Sequence, residues 1–129
     1  MDNAHTNRNE VFLAEDSAAI RARLAAMLAG VEGVTVVGEA DTPEGAIEGI
    51  LRTRPRSVIL DIHLIGGNGI DVLRKVHSVD PSIMFIVLTN HPSPQYSRIF
   101  TSAGASYFLD KKADFQKVKG IVADLAIAH

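Results

Sequence analysis

Residues 57–69 read SVILDIHLIGGNG, and the fold turns on them. Val58, Ile59 and Leu60 form a short apolar run with the composition of a strand buried on both faces. Asp61 sets a charge at the end of that run. Burying an unpaired carboxylate is costly, so Asp61 belongs where the strand surfaces among compensating partners. Residues 62–69 carry three glycines and read as a loop ahead of a helical pattern that starts at Ile70. An aspartate at the carboxyl end of a buried strand, beside a Gly-rich loop, stands where open α/β sheets place ligands. A strand-ending aspartate is also a common helix cap or turn former, so the weight falls on what else converges there.

On either side of this stretch, apolar strands alternate with helical patterns five times. Val11–Ala14 is a first strand, followed by Glu15, Asp16 and Ser17. A helix is expected over Ala18–Ala29, with Ile20, Leu24, Met27 and Leu28 on one face and Gly30 past its end. Val34–Val37 is a second strand. Thr42 and Pro43 make a cap and first-turn pair for a second helix, which buries Ala46, Ile47, Ile50 and Leu51 and is weakened by Gly45 and Gly49. A third helix turns Ile70, Leu73 and Val76 inward. Ile83–Leu88 is the longest apolar run and ends in Thr89. Pro92 and Pro94 fit the entry of a fourth helix closed by Gly104. Ser106–Leu109 is a fifth strand ending in Asp110, Lys111 and Lys112, and Phe115, Val118, Val122 and Leu125 mark a fifth helix. Such alternation, with unbroken apolar strands, predicts an α/β fold with a parallel sheet covered on both faces. The polar strand ends then share one rim.

Composition bounds the function. A chain of 129 residues with 47% hydrophobic and 22% charged residues suits a single globular domain with a real core. Residues 1–9 are polar and aperiodic and read as a disordered leader, leaving 10–129 as the domain. The net charge of −2 argues against nucleic-acid binding as the main activity, and the absence of cysteine excludes disulfides and thiolate chemistry. No apolar run has the length of a membrane span and the N-terminus lacks a signal-peptide core, so a cytoplasmic protein is expected.

Four strand ends bring Glu15, Asp16, Asp61, Thr89 and Lys111 to that rim. Singly, each has an ordinary reading: Asp16 or Ser17 as a helix cap, Glu15 and Lys111 as solvated charges, Thr89 as a strand residue. Together they are harder to dismiss. Three carboxylates on one rim repel one another unless a cation sits among them, and hard oxygen ligands suit Mg2+. Lys111 and the Thr89 hydroxyl supply what the remaining oxygens of a phosphoryl group need. His5, His63, His77, His91 and His129 do not read as a metal site, although His63 and His91 both fall near the rim.

The acidic pair Glu15–Asp16, the strand end at Asp61, the LTN of Leu88–Asn90 and the GASYFLDK of Gly104–Lys111 occur in the order and at the separations of a known family. Over about residues 10–127 the chain resembles the receiver domain of bacterial two-component response regulators. The resemblance implies a doubly wound, flavodoxin-like (βα)5 fold with strand order 2-1-3-4-5. It implies that Asp61 takes a phosphoryl group from a phosphohistidine of a sensor histidine kinase or histidine phosphotransfer protein. Mg2+ would be held by Glu15, Asp16, Asp61 and the backbone carbonyl of His63. Lys111 would pair with the phosphoryl oxygens, and Thr89 and Phe108 would act as the switch that alters the face of helix 4, strand 5 and helix 5. Beyond self-catalysed phosphoryl transfer and autodephosphorylation no enzyme is implied. The output partner would be a downstream protein or a phosphorylation-dependent second copy, since no effector follows helix 5; the chain is either a stand-alone receiver or part of a longer regulator.

Some positions depart from the family pattern. Ile65 replaces a proline that often stiffens the loop after the acceptor, which predicts a looser loop. Asn90 stands where a small residue is usual, Lys112 follows the lysine in place of Pro or Ser, and Phe108 lacks the hydroxyl of the more frequent Tyr. Three other readings compete. An aspartyl-phosphate phosphatase would want a second aspartate two residues after Asp61, where this chain has His63. A nucleotide- or flavin-binding domain would want glycines and backbone donors after strand 1, where Glu15 and Asp16 repel phosphate. A receiver-like module that works without phosphorylation would have no use for an intact acidic pair, Asp61, Thr89 and Lys111.

Overall fold

The computed structural model describes residues 9–127 of the chain. His5, His129 and the leader expected over 1–9, except Asn9, lie outside the described residues. The five strands are β1 (Asn9–Ala14), β2 (Val34–Ala40), β3 (Ser57–Leu60), β4 (Met84–Thr89) and β5 (Tyr107–Asp110). They form one parallel sheet in the order β2-β1-β3-β4-β5. Each is followed by a helix: α1 (Ala18–Ala29), α2 (Pro43–Thr53), α3 (Gly69–Val79), α4 (Pro94–Ser102) and α5 (Phe115–Ile127). The doubly wound architecture and strand order are those expected.

Strand side chains alternate between two cores, as the period of two requires. Phe12 and Ala14 of β1 face one layer with Val58, Leu60, Phe85 and Val87, covered by Ile50 of α2 and Val72, Leu73 and Val76 of α3. Val11 and Leu13 face the other with Ile59, Ile86 and Leu88, covered by Leu24 and Leu28 of α1 and Val118 and Val122 of α5. Helix starts follow local rules: Ser17 Oγ accepts from Ile20 N at 3.2 Å, Thr42 Oγ1 from Gly45 N at 3.1 Å and Ser93 Oγ from Tyr96 N at 3.1 Å.

The fourth and fifth strands are each shifted by one residue from the sequence reading, and three larger differences stand out. The first strand starts at Asn9, which is buried because its Nδ2 donates to the Val122 carbonyl at 2.6 Å. The second runs on to Ala40, since pairing with β1 continues to the Ala14↔Ala40 position. The segment expected to be a loop folds in part as a short antiparallel hairpin, His63–Leu64 against Gly67–Asn68. Ile65 N donates to the Asp41 carbonyl at 2.8 Å, tying that hairpin to the end of the second strand instead of leaving a free loop.

Gly49 weakens α2 in isolation but is required by packing. A Cβ at Gly49 would lie 2.6 Å from the Phe12 ring, and one at Gly38, opposite Phe12 across β1 and β2, equally close. Overpacking of this kind outweighs the gain in helix propensity. Gly49→Ala is therefore expected to cost about 1–3 kcal/mol. Gly120→Ala, with nothing within 4 Å of the added Cβ on α5, is expected to gain roughly 0.5–1 kcal/mol. Urea unfolding of the two variants checks the opposite signs.

Candidate functional site

The carboxyl ends of the parallel strands open on one rim. Backbone bonds across the sheet fix the residues just past those ends: Glu15 N donates to Ala40 O at 3.0 Å, Asp61 N to Ala14 O at 2.9 Å and Lys111 N to Thr89 O at 2.8 Å. Their side chains turn into a common pocket. Glu15 is only 1% exposed, Asp61 5% and Lys111 8%. The reading of Glu15 as a solvated charge does not hold, whereas Asp16 beside it is exposed.

Lys111 Nζ lies 2.9 Å from Glu15 Oε1 and 3.2 Å from Asp61 Oδ2, so one ammonium bridges two buried carboxylates. Glu15 Oε2 also accepts from Lys111 Nζ at 3.1 Å and from Ser17 N at 3.0 Å. His63 N donates to Asp61 Oδ1 at 3.4 Å, which seats the hairpin beside that carboxylate. Gly69 N donates to the Ile62 carbonyl at 2.6 Å, and a side chain at Gly69 would run into the Asp61 carbonyl, so only glycine lets α3 begin this close.

One lysine does not balance three acids. Burial pushes the Glu15 carboxyl up to about 7, against the downward pull of Lys111 and Ser17. Burial also raises Asp61, with the Lys111 charge pulling back. At Asp16 burial is outweighed by hydrogen bonds with Glu15 and Asp61, and its carboxyl falls below its ordinary value. Burial likewise opposes the charge on Lys111, but Glu15 and Asp61 outweigh it and raise its pKa. The pocket therefore keeps an excess of negative charge.

A cation fits that excess. Carboxylate oxygens of Glu15, Asp16 and Asp61 all lie within 4.8 Å of one another. Oxygens at about 2.0–2.1 Å from Mg2+ are roughly 3–4 Å apart, so small side-chain rotations bring the three into range. Both oxygens of Glu15 are engaged by Lys111, and those of Asp61 by Lys111 and His63 N, which leaves the exposed Asp16 the freest of the three.

Thr89 is 1% exposed, and its Oγ1 accepts from His91 N at 3.0 Å. Phe108 sits on the neighbouring strand opposite Val87, half-buried, with its ring centre 6.1 Å from that of Phe100. Asn90 and Lys112 are exposed. Two supporting groups escaped the sequence reading. Asn68 caps α3 by accepting from Ile70 N at 3.1 Å, a signal present in an Asn just before a helical pattern. Arg21 Nη1 donates to the Glu15 carbonyl at 2.7 Å while its Nε pairs with Glu39 at 3.3 Å, contacts that no local pattern announces.

Because Asp61 binds its proton more tightly in the folded protein than when unfolded, its charge opposes folding at neutral pH. Without metal, Asp61→Asn is expected to raise Tm by about 4 °C, equivalent to about 1 kcal/mol. Saturating MgCl2 should raise the Tm of the wild type and leave that of the variant nearly unchanged. Circular dichroism melts with chelator and with MgCl2 check both.

Known proteins share this fold. Residues 11–123 match the response regulator receiver domain. The chain is 30% identical to the DNA-binding transcriptional activator DevR/DosR of Mycobacterium tuberculosis over 116 residues, 90% of this chain and 54% of that protein. It is 28% identical to response regulator GacA of Pseudomonas aeruginosa over 109 residues, 84% of this chain and 51% of that protein. It thus spans about half the length of these relatives. Among solved structures it resembles a LuxR-family two-component response regulator from Aurantimonas (TM-score 0.82, 25% identity, 91% of this chain and 86% of that one). The isolated receiver domain of RcsB from Salmonella enterica, solved with the phosphomimetic BeF3−, shares the fold at TM-score 0.84 and 22% identity, covering 94% of this chain and 90% of that one. Receiver domains bind Mg2+ at an acidic pocket, and this chain has an acidic cluster of Glu15, Asp16 and Asp61. The chain belongs to the response regulator receiver domain family.

Proposed function

We propose that the chain is a phosphorylation-activated signalling switch in which Asp61 takes a phosphoryl group from a phosphohistidine of a sensor kinase or phosphotransfer protein. The observation that carries this reading is the bridge from Lys111 Nζ to Asp61 Oδ2 at 3.2 Å, inside a pocket with two further carboxylates. An oxygen of the Asp61 carboxylate attacks phosphorus, the bond from phosphorus to the donor imidazole nitrogen breaks, and an acyl phosphate forms. Such a transfer needs positioning and charge neutralisation more than covalent help. Lys111 supplies a cation to the incoming phosphoryl oxygens, and His63 N–H orients the nucleophile. Bound Mg2+, held by Asp16, Asp61 and the His63 carbonyl with Glu15 beside them, would neutralise the phosphoryl charge. The chain catalyses its own phosphorylation and dephosphorylation and turns over no other substrate.

Transmission runs through Thr89 and Phe108. The Thr89 hydroxyl leaves its bond with His91 N for a phosphoryl oxygen, and Phe108 moves toward the space it vacates. Phe108 already packs on Phe100 of α4, so its movement reaches the face where Tyr96, Ile99 and Tyr107 stand exposed. That face, with Lys117 at its edge, meets a downstream protein or a second copy. It makes no nucleic-acid contact.

Incubation with MgCl2 and acetyl phosphate is expected to add one phosphoryl group to the wild type and none to Asp61→Ala, read by intact-protein mass spectrometry. Equal labelling of the variant would sink the assignment. Thr89→Ala should still take the label but lose most of the response in α4 and β5, a coupling of about 1–3 kcal/mol. Amide NMR shifts that change as in the wild type would contradict this route.

A further inference from the structure

We propose that His63 and His91 form a second metal site, for a borderline divalent ion such as Zn2+, across the mouth of the acidic pocket. The two residues come from the loops after the adjacent strands β3 and β4. Their backbones are anchored to pocket residues: His63 N–H to Asp61 Oδ1 at 3.4 Å and His91 N–H to Thr89 Oγ1 at 3.0 Å. The hairpin pairing of His63 with Asn68 holds the first of them further. Both side chains are exposed, and their ring centres lie 6.4 Å apart with the planes at 68°. Among the described residues no hydrogen-bond partner is seen for any of the four ring nitrogens, so both imidazoles are free to bind.

The spacing suits a shared ion. With a metal–nitrogen bond of about 2.0–2.1 Å, ring centres on one ion lie about 5 Å apart at a tetrahedral angle and about 6.4 Å apart when linear. The observed separation is at the wide end of that range, and small rotations of two exposed side chains close it. Imidazole favours Zn2+, Ni2+ and Cu2+, whereas Mg2+ takes the oxygens below, so the two sites select different ions. Water would complete the coordination of an ion held by the two imidazoles. An ion held there covers the opening through which a phosphodonor reaches Asp61, a consequence that rests on the phosphoacceptor reading above.

Calorimetric titration of unphosphorylated protein with ZnCl2, in saturating MgCl2, tests the site without reference to phosphorylation. The wild type is expected to bind one ion, with His63→Ala and His91→Ala each weakening it about tenfold, or about 1.4 kcal/mol. A His5→Ala/His129→Ala variant should bind as the wild type does. Unchanged affinity in His63→Ala and His91→Ala, or loss in the terminal variant alone, would show that the two rings merely touch edge to face. For the consequence, ZnCl2 should slow labelling of the wild type by acetyl phosphate at least fivefold and leave His91→Ala unslowed. Equal slowing of both would place the inhibitory ion elsewhere, while the titration still decides whether the site exists.

Discussion

Lys111 Nζ stands between Glu15 and Asp61, at 2.9 and 3.2 Å, with all three side chains shielded from water. Desolvation works against every charge in that group, and the ion pairs offset it only in part. Remove the lysine and two buried carboxylates lose their counter-ion; remove an acid and the lysine keeps the other. The arrangement does little for stability. It holds the Asp61 carboxylate in a buried pocket beside a fixed cation, and it leaves a surplus of negative charge that a divalent cation can meet.

The rest of the fold serves that placement. In a parallel sheet all carboxyl ends share one rim, so residues far apart in sequence arrive together without a dedicated scaffold. Glu15 follows β1, Asp61 follows β3 and Lys111 follows β5, and backbone bonds between neighbouring strands fix the height of each. Strand β4 carries Thr89 between Asp61 and Lys111, and the same β4–β5 pairing places Phe108 one step below the rim. Thr89 and Phe108 thus stand on neighbouring strands, with Lys111 just past the end of the second.

The sequence disclosed much of this because the deciding signals were local. Ser17, and Thr42 with Pro43, announce helix starts by side-chain chemistry. The β-branched apolar run before Asp61 reads as a buried strand, and a carboxylate at its end calls for partners. What stayed hidden was non-local. Nothing distinguishes Glu15 from Asp16 in sequence, yet one is buried against a lysine 96 residues away while the other meets solvent. Gly49 reads as a defect in a helix until Phe12, from another strand, is seen to need its space. The hairpin at 63–68 is too short and glycine-rich to show a strand period, and the hydrogen bond from Ile65 to Asp41 that tethers it has no pattern at all.

Lys111 pulls the buried Asp61 carboxyl toward its charged form. Carbon-13 NMR titration of the Asp61 side-chain carboxyl, without metal, tests it in the wild type and in Lys111→Met. Burial raises the Asp61 pKa and Lys111 pulls it back, so loss of the lysine should move the titration midpoint upward. A midpoint that is the same in both proteins would show that Lys111 does not govern the charge on Asp61.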